Sequence, residues 1–357
     1  MSNAPIEIRS LYKIFGDSAS ALVEAVKCGM GKAQLARDHK AVLALNDISI
    51  TMPAGKIQVV MGLSGSGKST LIRHINRLIE PTSGTIAVDG ADIVKMGEKE
   101  LRDFRRNRTA MVFQKFALLP HRTVIDDVTF GLEVRGMSKV KQRDTGMAWI
   151  ERVGLHGFEN RYPHELSGGM QQRVGLARAL SNDAPILLMD EAYSALDPLI
   201  RTDMQSVLLT LQTEIKKTIV FITHDLDEAL RLGDRIVILR DGSIIQQGDS
   251  QDILLNPADD YIARFVKDVN RGRFIKVNAV MRSEASPLSS DSLPRLGSGI
   301  TLEAAAREMT TGGFDEALVN DPNGRPLGLV TLRAIAAALS SIAEAPNSAL
   351  APSAAIG

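Results

Sequence analysis

Apolar and polar positions alternate loosely over residues 6–15, IEIRSLYKIF, which predicts a half-buried strand near the start of the chain. The period then changes. ALVEAVKCGMGKAQLARDHKAVLAL, residues 21–45, is rich in helix formers and broken by Gly29-Met30-Gly31. It predicts one or two short helices inserted between strands. Residues 56–61, KIQVVM, predict a strand running into a glycine-rich loop, and KSTLIRHINRL from Lys68 onward has helical spacing. Residues 92–180 are mostly helical in pattern, interrupted by a short predicted strand at 110–114. Two continuous apolar runs, APILLMD at 184–190 and TIVFIT at 218–223, have the pattern of buried parallel strands. RIVILRDGSIIQQ, residues 235–247, predicts a hairpin turning on Asp241-Gly242. A connector begins at Asn256-Pro257, and the pattern restarts near Arg271 as a small α/β unit. Strands alternating with helices predict an α/β fold around a parallel sheet, with ligands at the carboxyl ends of the strands.

Composition narrows the class. The 42 basic and 42 acidic residues balance, so bulk charge predicts no nucleic-acid partner. A single cysteine, Cys28, forbids an internal disulfide and fits a reducing cytosol. MSNAPIEIRS has charges at Glu7 and Arg9 and no apolar stretch, so it does not read as a secretory signal. No run approaches the ~18 apolar residues of a membrane span. Work at a membrane therefore requires a partner that supplies the membrane part.

GLSGSGKS, residues 62–69, fits G-x-x-x-x-G-K-[ST] at every required position, between a predicted strand and a predicted helix. Gly62, Leu63, Ser64, Gly65, Ser66 and Gly67 let backbone N–H groups turn toward a phosphate. Lys68 adds a point charge, Ser69 offers a hydroxyl to Mg²⁺, and Thr70 continues the helix whose dipole favours an anion. Asp190 and Glu191 end an apolar strand. Asp190 is placed to hold Mg²⁺, and Glu191 to polarise an attacking water. A chance glycine turn and a surface acidic pair are the plainer readings, and the strand–loop–helix context disfavours both. LSGGMQQR, residues 166–173, is a second phosphate-type helix start, in which Ser167 by itself is an ordinary N-cap.

That octapeptide, with the phosphate loop and DEA at 190–192, resembles the signature of ATP-binding cassette (ABC) ATPases over residues 5–270. The resemblance implies a P-loop NTPase fold: a RecA-like core, a helical subdomain at about 100–180 and an antiparallel β subdomain. It implies a head-to-tail homodimer with two ATP molecules and Mg²⁺ between the chains. Ser167, Gly168, Gly169 and Gln171 would then cap the γ-phosphate held by the other copy. Gln114 in MVFQK resembles the Q-loop glutamine, which reaches the γ-phosphate and Mg²⁺. SALD, ending at Asp197, resembles the D-loop that crosses the interface, and His224 in FITHD resembles the switch histidine. Phe15 occupies the place of the adenine-stacking aromatic, although a core aromatic on a strand is the plainer reading. The remaining histidines show no metal-ligand spacing and are expected to be structural.

Gln114 and Ser167 are too close in sequence to admit the long coiled coil of chromosome-organising relatives, and the chain has one cassette where translation-factor relatives have two. The expectation is a free-standing ATPase subunit of a bacterial importer, on the cytoplasmic face of the inner membrane. MGLSGSGKST, INRLIEPTSG, FQKFALLPHRTV, YPHELSGGMQQRVGLARAL and MDEAYSALDPLIR closely resemble the glycine betaine/proline betaine importer subunit, as does the helical insert at 21–45. Tyr193 departs from the phenylalanine expected there. Choline, carnitine or a polar amino acid are alternative solutes, and a non-transport ABC ATPase is the alternative class. The implied partners are a permease, met through residues 115–121, and a periplasmic or tethered solute-binding protein. The basic cluster RDFRRNR at 102–108 reads as a solvated helix face. Residues 275–281 and 300–342 resemble one cystathionine-β-synthase (CBS) motif, with a turn at Asn323-Gly324 and a poorly matching loop at 287–299. The expected layout is thus a cassette at 1–270, a CBS-like regulatory module at 271–345 and a disordered tail at 346–357.

Overall fold

The structure, a computed structural model, describes residues 5–114, 116–282 and 293–340. The chain divides into two compact units between Gln247 and Gly248, ahead of the 270/271 boundary expected from sequence.

In the first unit, strand β1 (Ile6–Phe15) leads into helices α1 (Ala19–Lys27) and α2 (Lys32–His39). The insert is therefore two helices. Its last residues are not helical, because Lys40 caps α2 at φ 51° and the chain turns into strand β2 (Val42–Met52). Leu22, Val23, Val26 and Leu35 bury against Tyr12, Ile14 and Leu43, so the insert is clamped to the strands on either side of it. Strand β3 (Ile57–Met61), helix α3 (Lys68–Ile75) and strands β4 (Ser83–Val88) and β5 (Ala91–Asp92) come after it. An antiparallel sheet has the order β2-β1-β4-β5.

Helix α4 (Glu98–Asn107) and strand β6 (Thr109–Val112) come next. Within the basic cluster, Arg105 donates to the Asn76 carbonyl at 2.9 Å and Arg108 pairs with Asp89 at 2.8 Å, so that face is only partly free. Helices α5 (Val124–Val128), α6 (Phe130–Val134), α7 (Lys139–Arg152) and α8 (Gly168–Ser181) form the expected helical subdomain. Val124, Ile125, Val128, Ile150, Val153, Leu166 and Val174 make its core, separate from that of the sheets. The chain re-enters the parallel sheet with β7 (Ile186–Asp190), helix α9 (Pro198–Ile215), β8 (Thr218–Thr223), helix α10 (Leu226–Leu232), β9 (Arg235–Arg240) and β10 (Ser243–Gly248). The six-stranded order is β10-β9-β3-β8-β7-β6. Every residue of β3, β7 and β8 is buried, as continuous apolar runs require when helices cover both faces. Asp241-Gly242 forms the predicted turn, both residues at positive φ.

In the second unit, helices α11 (Ser250–Leu255) and α12 (Asp260–Phe265) precede strand β11 (Arg295–Gly297), helix α13 (Leu302–Gly312), strands β12 (Glu316–Asn320) and β13 (Pro326–Thr331) and helix α14 (Leu332–Ser340). The predicted strand–turn–strand–helix is present, and Gly324 closes the turn at φ 81°. Within the stretch expected as a loop, residues 295–297 instead pair parallel with β12, a contact too short to leave a period in the sequence. The expected tail at 346–357 lies outside the described residues.

Candidate functional site

Sheet register assembles the site. Met61 of β3 stands opposite Thr223 of β8, Ile222 opposite Asp190 of β7, and Met189 opposite Val112 of β6. The three strands β3, β8 and β7 thus end together. Their next residues meet at one edge: the glycine loop after Met61, His224 after Thr223 and Glu191 after Asp190. Gln114 arrives from β6 two residues past Val112. This is the carboxyl edge where parallel α/β sheets bind ligands.

Gly62 holds φ 149°, and a Cβ there would stand 2.2 Å from the Leu239 carbonyl oxygen, so only glycine lets the loop pass. Lys68, the first residue of α3, is nearly fully buried and donates to the carbonyls of Gly62 at 2.8 Å and Leu63 at 3.1 Å. Burial pushes its ammonium pKa below the usual lysine value, and Glu191, with Oε1 3.7 Å away, partly restores it. The buried Ser66 Oγ has no hydrogen-bond partner among the described residues. Ser69 Oγ donates to Asp190 Oδ1 at 2.8 Å. Arg73, one turn further along α3 and on the same face, reaches Asp190 Oδ2 at 3.3 Å.

Glu191 sits at φ 46°, a left-handed conformation that a glutamate adopts only when its surroundings hold it there. Gln114 Nε2 donates to Glu191 Oε2 at 3.1 Å and to Ser194 Oγ at 3.3 Å, and Ser194 Oγ donates in turn to the Glu191 carbonyl at 2.9 Å. His224 Nδ1 lies 3.6 Å from Glu191 Oε2. A cavity of about 540 Å³ opens over these groups, lined by Ser64, Gly65, Gly67, Lys68, Ser69, Thr70, Gln114 and Glu191. Ala41–Ala44, at the entry to β2, and Lys32 and Ala36 of α2 complete the lining.

Motif and spacing predict the lining residues from the phosphate loop, Gln114 and Glu191. They do not point to Lys32 and Ala36, whose place depends on how the insert folds back, or to Arg73, whose partner is set by tertiary packing. Ser194 opens the stretch that resembles the D-loop, but its bonds to Gln114 and Glu191 are not readable from that motif. Phe15 is not on the cavity wall. It pairs across the sheet with Val42, which is, and its half-exposed ring carries the Lys13 ammonium 4.8 Å from its centroid.

The signature residues stand elsewhere. Ser167 Oγ caps α8 by accepting from Met170 N–H at 3.4 Å, and Gln171 Nε2 donates to the carbonyls of Pro163 and Leu166. A Cβ on Gly169 would meet Ile200 Cγ2 at 2.6 Å. Asp197 caps α9 through Leu199 and Ile200 N–H, both at 3.1 Å. None of Ser167, Gly168, Gly169, Gln171 or Asp197 lines the cavity of this copy.

The ABC transporter family model matches residues 45–194. A glycine betaine transport ATP-binding protein of Bacillus subtilis is 49% identical over 82% of this chain and 69% of its own length. A glycine betaine/proline betaine transport system ATP-binding protein of Salmonella typhimurium is 44% identical over 94% of this chain and 82% of its own. A trimethylamine N-oxide transport system ATP-binding protein of Pelagibacter ubique is 43% identical over 92% of this chain and 96% of its own. Among solved structures, a dimeric post-hydrolysis ATP-binding cassette bound to ADP and Pi matches with a TM-score of 0.58 at 31% identity, over 69% of this chain and 98% of that one. With its phosphate loop, its Ser69–Asp190 pair and its Glu191 gathered at one sheet edge, the chain belongs to the ATP-binding proteins of the ABC transporter family, in the group named for glycine betaine and proline betaine transport.

Proposed function

We propose that the chain is the ATP-hydrolysing subunit of a bacterial importer for glycine betaine/proline betaine-type solutes, energising a separate permease from the cytoplasmic face of the membrane. The observation that carries the ATPase reading is the Lys68–Glu191–Gln114 arrangement over the Ser69–Asp190 pair. No described helix is long and apolar enough to cross a membrane, which fits a subunit that needs a membrane partner.

The loop N–H groups and Lys68 hold the β- and γ-phosphates of ATP. Glu191 accepts a proton from the attacking water, and Gln114 and His224 orient both. The donor set fits Mg²⁺. Ser69 Oγ and Asp190 Oδ1 are hard oxygen ligands 2.8 Å apart. One hydroxyl and one carboxylate beside phosphate oxygens is how proteins hold Mg²⁺. Ser69 and Asp190, with Gln114 nearby, would hold it, and it would neutralise charge on the phosphates. Ser167, Gly168, Gly169 and Gln171 serve the nucleotide of a second copy in a head-to-tail dimer. That they do not line this copy's cavity supports that reading, as does the dimeric state of the similar cassette.

Residues 116–121 form the surface offered to the permease, together with Lys115, which lies outside the described residues. Phe116 and Ala117 hold left-handed backbone at φ 55° and 49°. A solute-binding protein completes the assembly. The second unit carries a CBS-like module that adjusts activity to ionic strength or a nucleotide, and deleting residues 272–357 should change the salt response of transport while ATP binding persists.

Uptake of labelled solute tests the whole reading. Wild type and Lys68→Ala are compared at low and high salt, with the native permease and binding protein, in a strain lacking its own systems. Salt-stimulated glycine betaine uptake that is lost in Lys68→Ala supports the proposal, and salt-insensitive choline uptake points to a nutrient importer. Trimethylamine N-oxide belongs in the same assay as a second reading, because the Pelagibacter relative aligns over 96% of its own length.

A further inference from the structure

The helical insert reaches the nucleotide cavity. Lys32 opens α2, and Ala36, one turn on, lies on the same helix face; both line the cavity that the phosphate loop also lines. Leu35, beside them on the helix, is fully buried in a cluster with Tyr12, Ile14 and Leu43, so α2 is held in place by a core of its own.

The Lys32 side chain is 35% exposed, and its ammonium lies 3.5 Å from Asp241 Oδ1, whose side chain is itself 81% exposed. Such a pair is weak and is readily exchanged for a better anion. Its location is informative. Gly242, next to Asp241, donates its N–H to the Ser66 carbonyl at 3.1 Å and accepts from Asn46 N–H at 2.8 Å. The turn that Lys32 touches is therefore joined to the back of the phosphate loop. Lys68 already serves the terminal phosphates beside Gln114 and Glu191. Lys32 comes from α2, and the lining residues near it in the chain, Ala36, Ala41 and Val42, are apolar and suit the nucleoside.

We propose that Lys32 is a nucleotide-contacting residue supplied by the insert, and that it recognises the α-phosphate and ribose portion of the nucleotide. The inference rests on the ATP-binding reading above. A single flexible cation at the cavity mouth would grip the part common to ATP and ADP, leaving the γ-phosphate to Lys68 and the partner copy.

Calorimetric titration of the full chain with ADP and with a non-hydrolysable ATP analogue, both with Mg²⁺, tests this. Lys32→Ala should weaken both ligands by the same factor, roughly fivefold to tenfold for one charge-assisted contact. Lys32→Arg should retain most of the affinity. Asp241→Asn should bind at least as well as wild type, since it only frees the ammonium. Unchanged affinity in Lys32→Ala overturns the proposal. So does a loss confined to the ATP analogue, which would move Lys32 to the γ-phosphate end. If Asp241→Asn reproduces the loss, Lys32 acts by holding the turn and the contact is refuted. A wild-type chain that binds neither ligand would defeat the ATP-binding reading itself, a result distinct from all of these.

Discussion

Arg178 on α8 and Asp127 on α5 pair at 2.8 Å, and together they hold the stretch just after Gln114. Asp127 is fully buried, and its second oxygen accepts the Leu119 N–H at 2.7 Å. Arg178 also donates to the carbonyls of Ala117 at 2.8 Å and Phe116 at 3.2 Å, the two residues in left-handed backbone. The surface proposed for the permease is thus strapped to the helix that begins with the signature. Breaking a buried pair leaves an uncompensated charge. Asp127→Ala should therefore lower stability by about 3 kcal/mol. Urea unfolding of the two proteins checks it, and a difference under about 1 kcal/mol would mean that water already screens the pair.

Glu191 is the group proposed to take the proton of the attacking water. It lies 3.7 Å from the Lys68 ammonium, and Gln114 donates to its Oε2 at 3.1 Å. Glu191→Gln keeps the shape and the hydrogen-bonding oxygen but cannot take a proton. ATP turnover should fall by roughly 10²- to 10⁴-fold while ATP binding persists. Light scattering with ATP should then show a stable dimer. A monomer that binds ATP under the same conditions would count against the composite site.

The legible parts of the molecule are those that a local pattern or a motif determines. TIVFIT reads as a buried strand because every side chain faces a covered surface, and β8 spans Thr218–Thr223. GLSGSGKS announces its turn because Gly62 and Gly67 must reach positive φ. Illegible parts depend on distant residues. Residues 42–45 continue a helix-like composition, yet Val42 pairs with Phe15 and enters a strand. Lys32 is one lysine among many until α2 folds onto β2 beside the cavity. Arg73 has an ordinary sequence context and Ser194 is legible only as the start of the D-loop-like stretch; the closing of α3 and the loop after β7 onto the sheet edge gives them Asp190 and Glu191 as partners.

Tyr193 stands where the family resemblance predicts phenylalanine, and its environment explains the tolerance. The ring is fully buried and tilted against Phe221, with centroids 5.5 Å apart. Its hydroxyl reaches only the Met204 carbonyl, at 3.5 Å, and burial raises the phenol pKa far above its usual value. A hydrogen bond that long contributes little. Tyr193→Phe should change stability by less than about 1 kcal/mol in either direction and leave ATP turnover unaltered. Thermal denaturation and an ATPase assay on the same preparation check both statements, and a loss of several degrees in Tm would show that the hydroxyl matters.

Glu228 gives the first unit a pH dependence of definite sign. It lies on α10, four residues after His224, and is almost fully buried. Burial raises its carboxyl pKa above the usual value, and hydrogen bonds from Thr223 and from Gln205 Nε2, at 3.1 Å, only partly offset this. Nearby Asp225 raises it further, and Arg201, 3.2 Å from Asp225, lowers it. A carboxyl whose folded pKa is raised favours the folded state while it is protonated in both states, below its unfolded value. That contribution is lost as pH rises through the raised folded value. Glu228→Gln removes the titration and keeps the oxygen that accepts from Gln205. The variant should therefore melt at a higher temperature than wild type at pH 7.5, and the gap should close as pH falls below the ordinary carboxylate range. Melting curves at matched ionic strength between pH 4 and pH 8 measure the gap. A constant difference across that range would show that Glu228 does not titrate with folding, and a variant less stable at pH 7.5 would mean that its hydrogen bonds outweigh the cost of burying the charge.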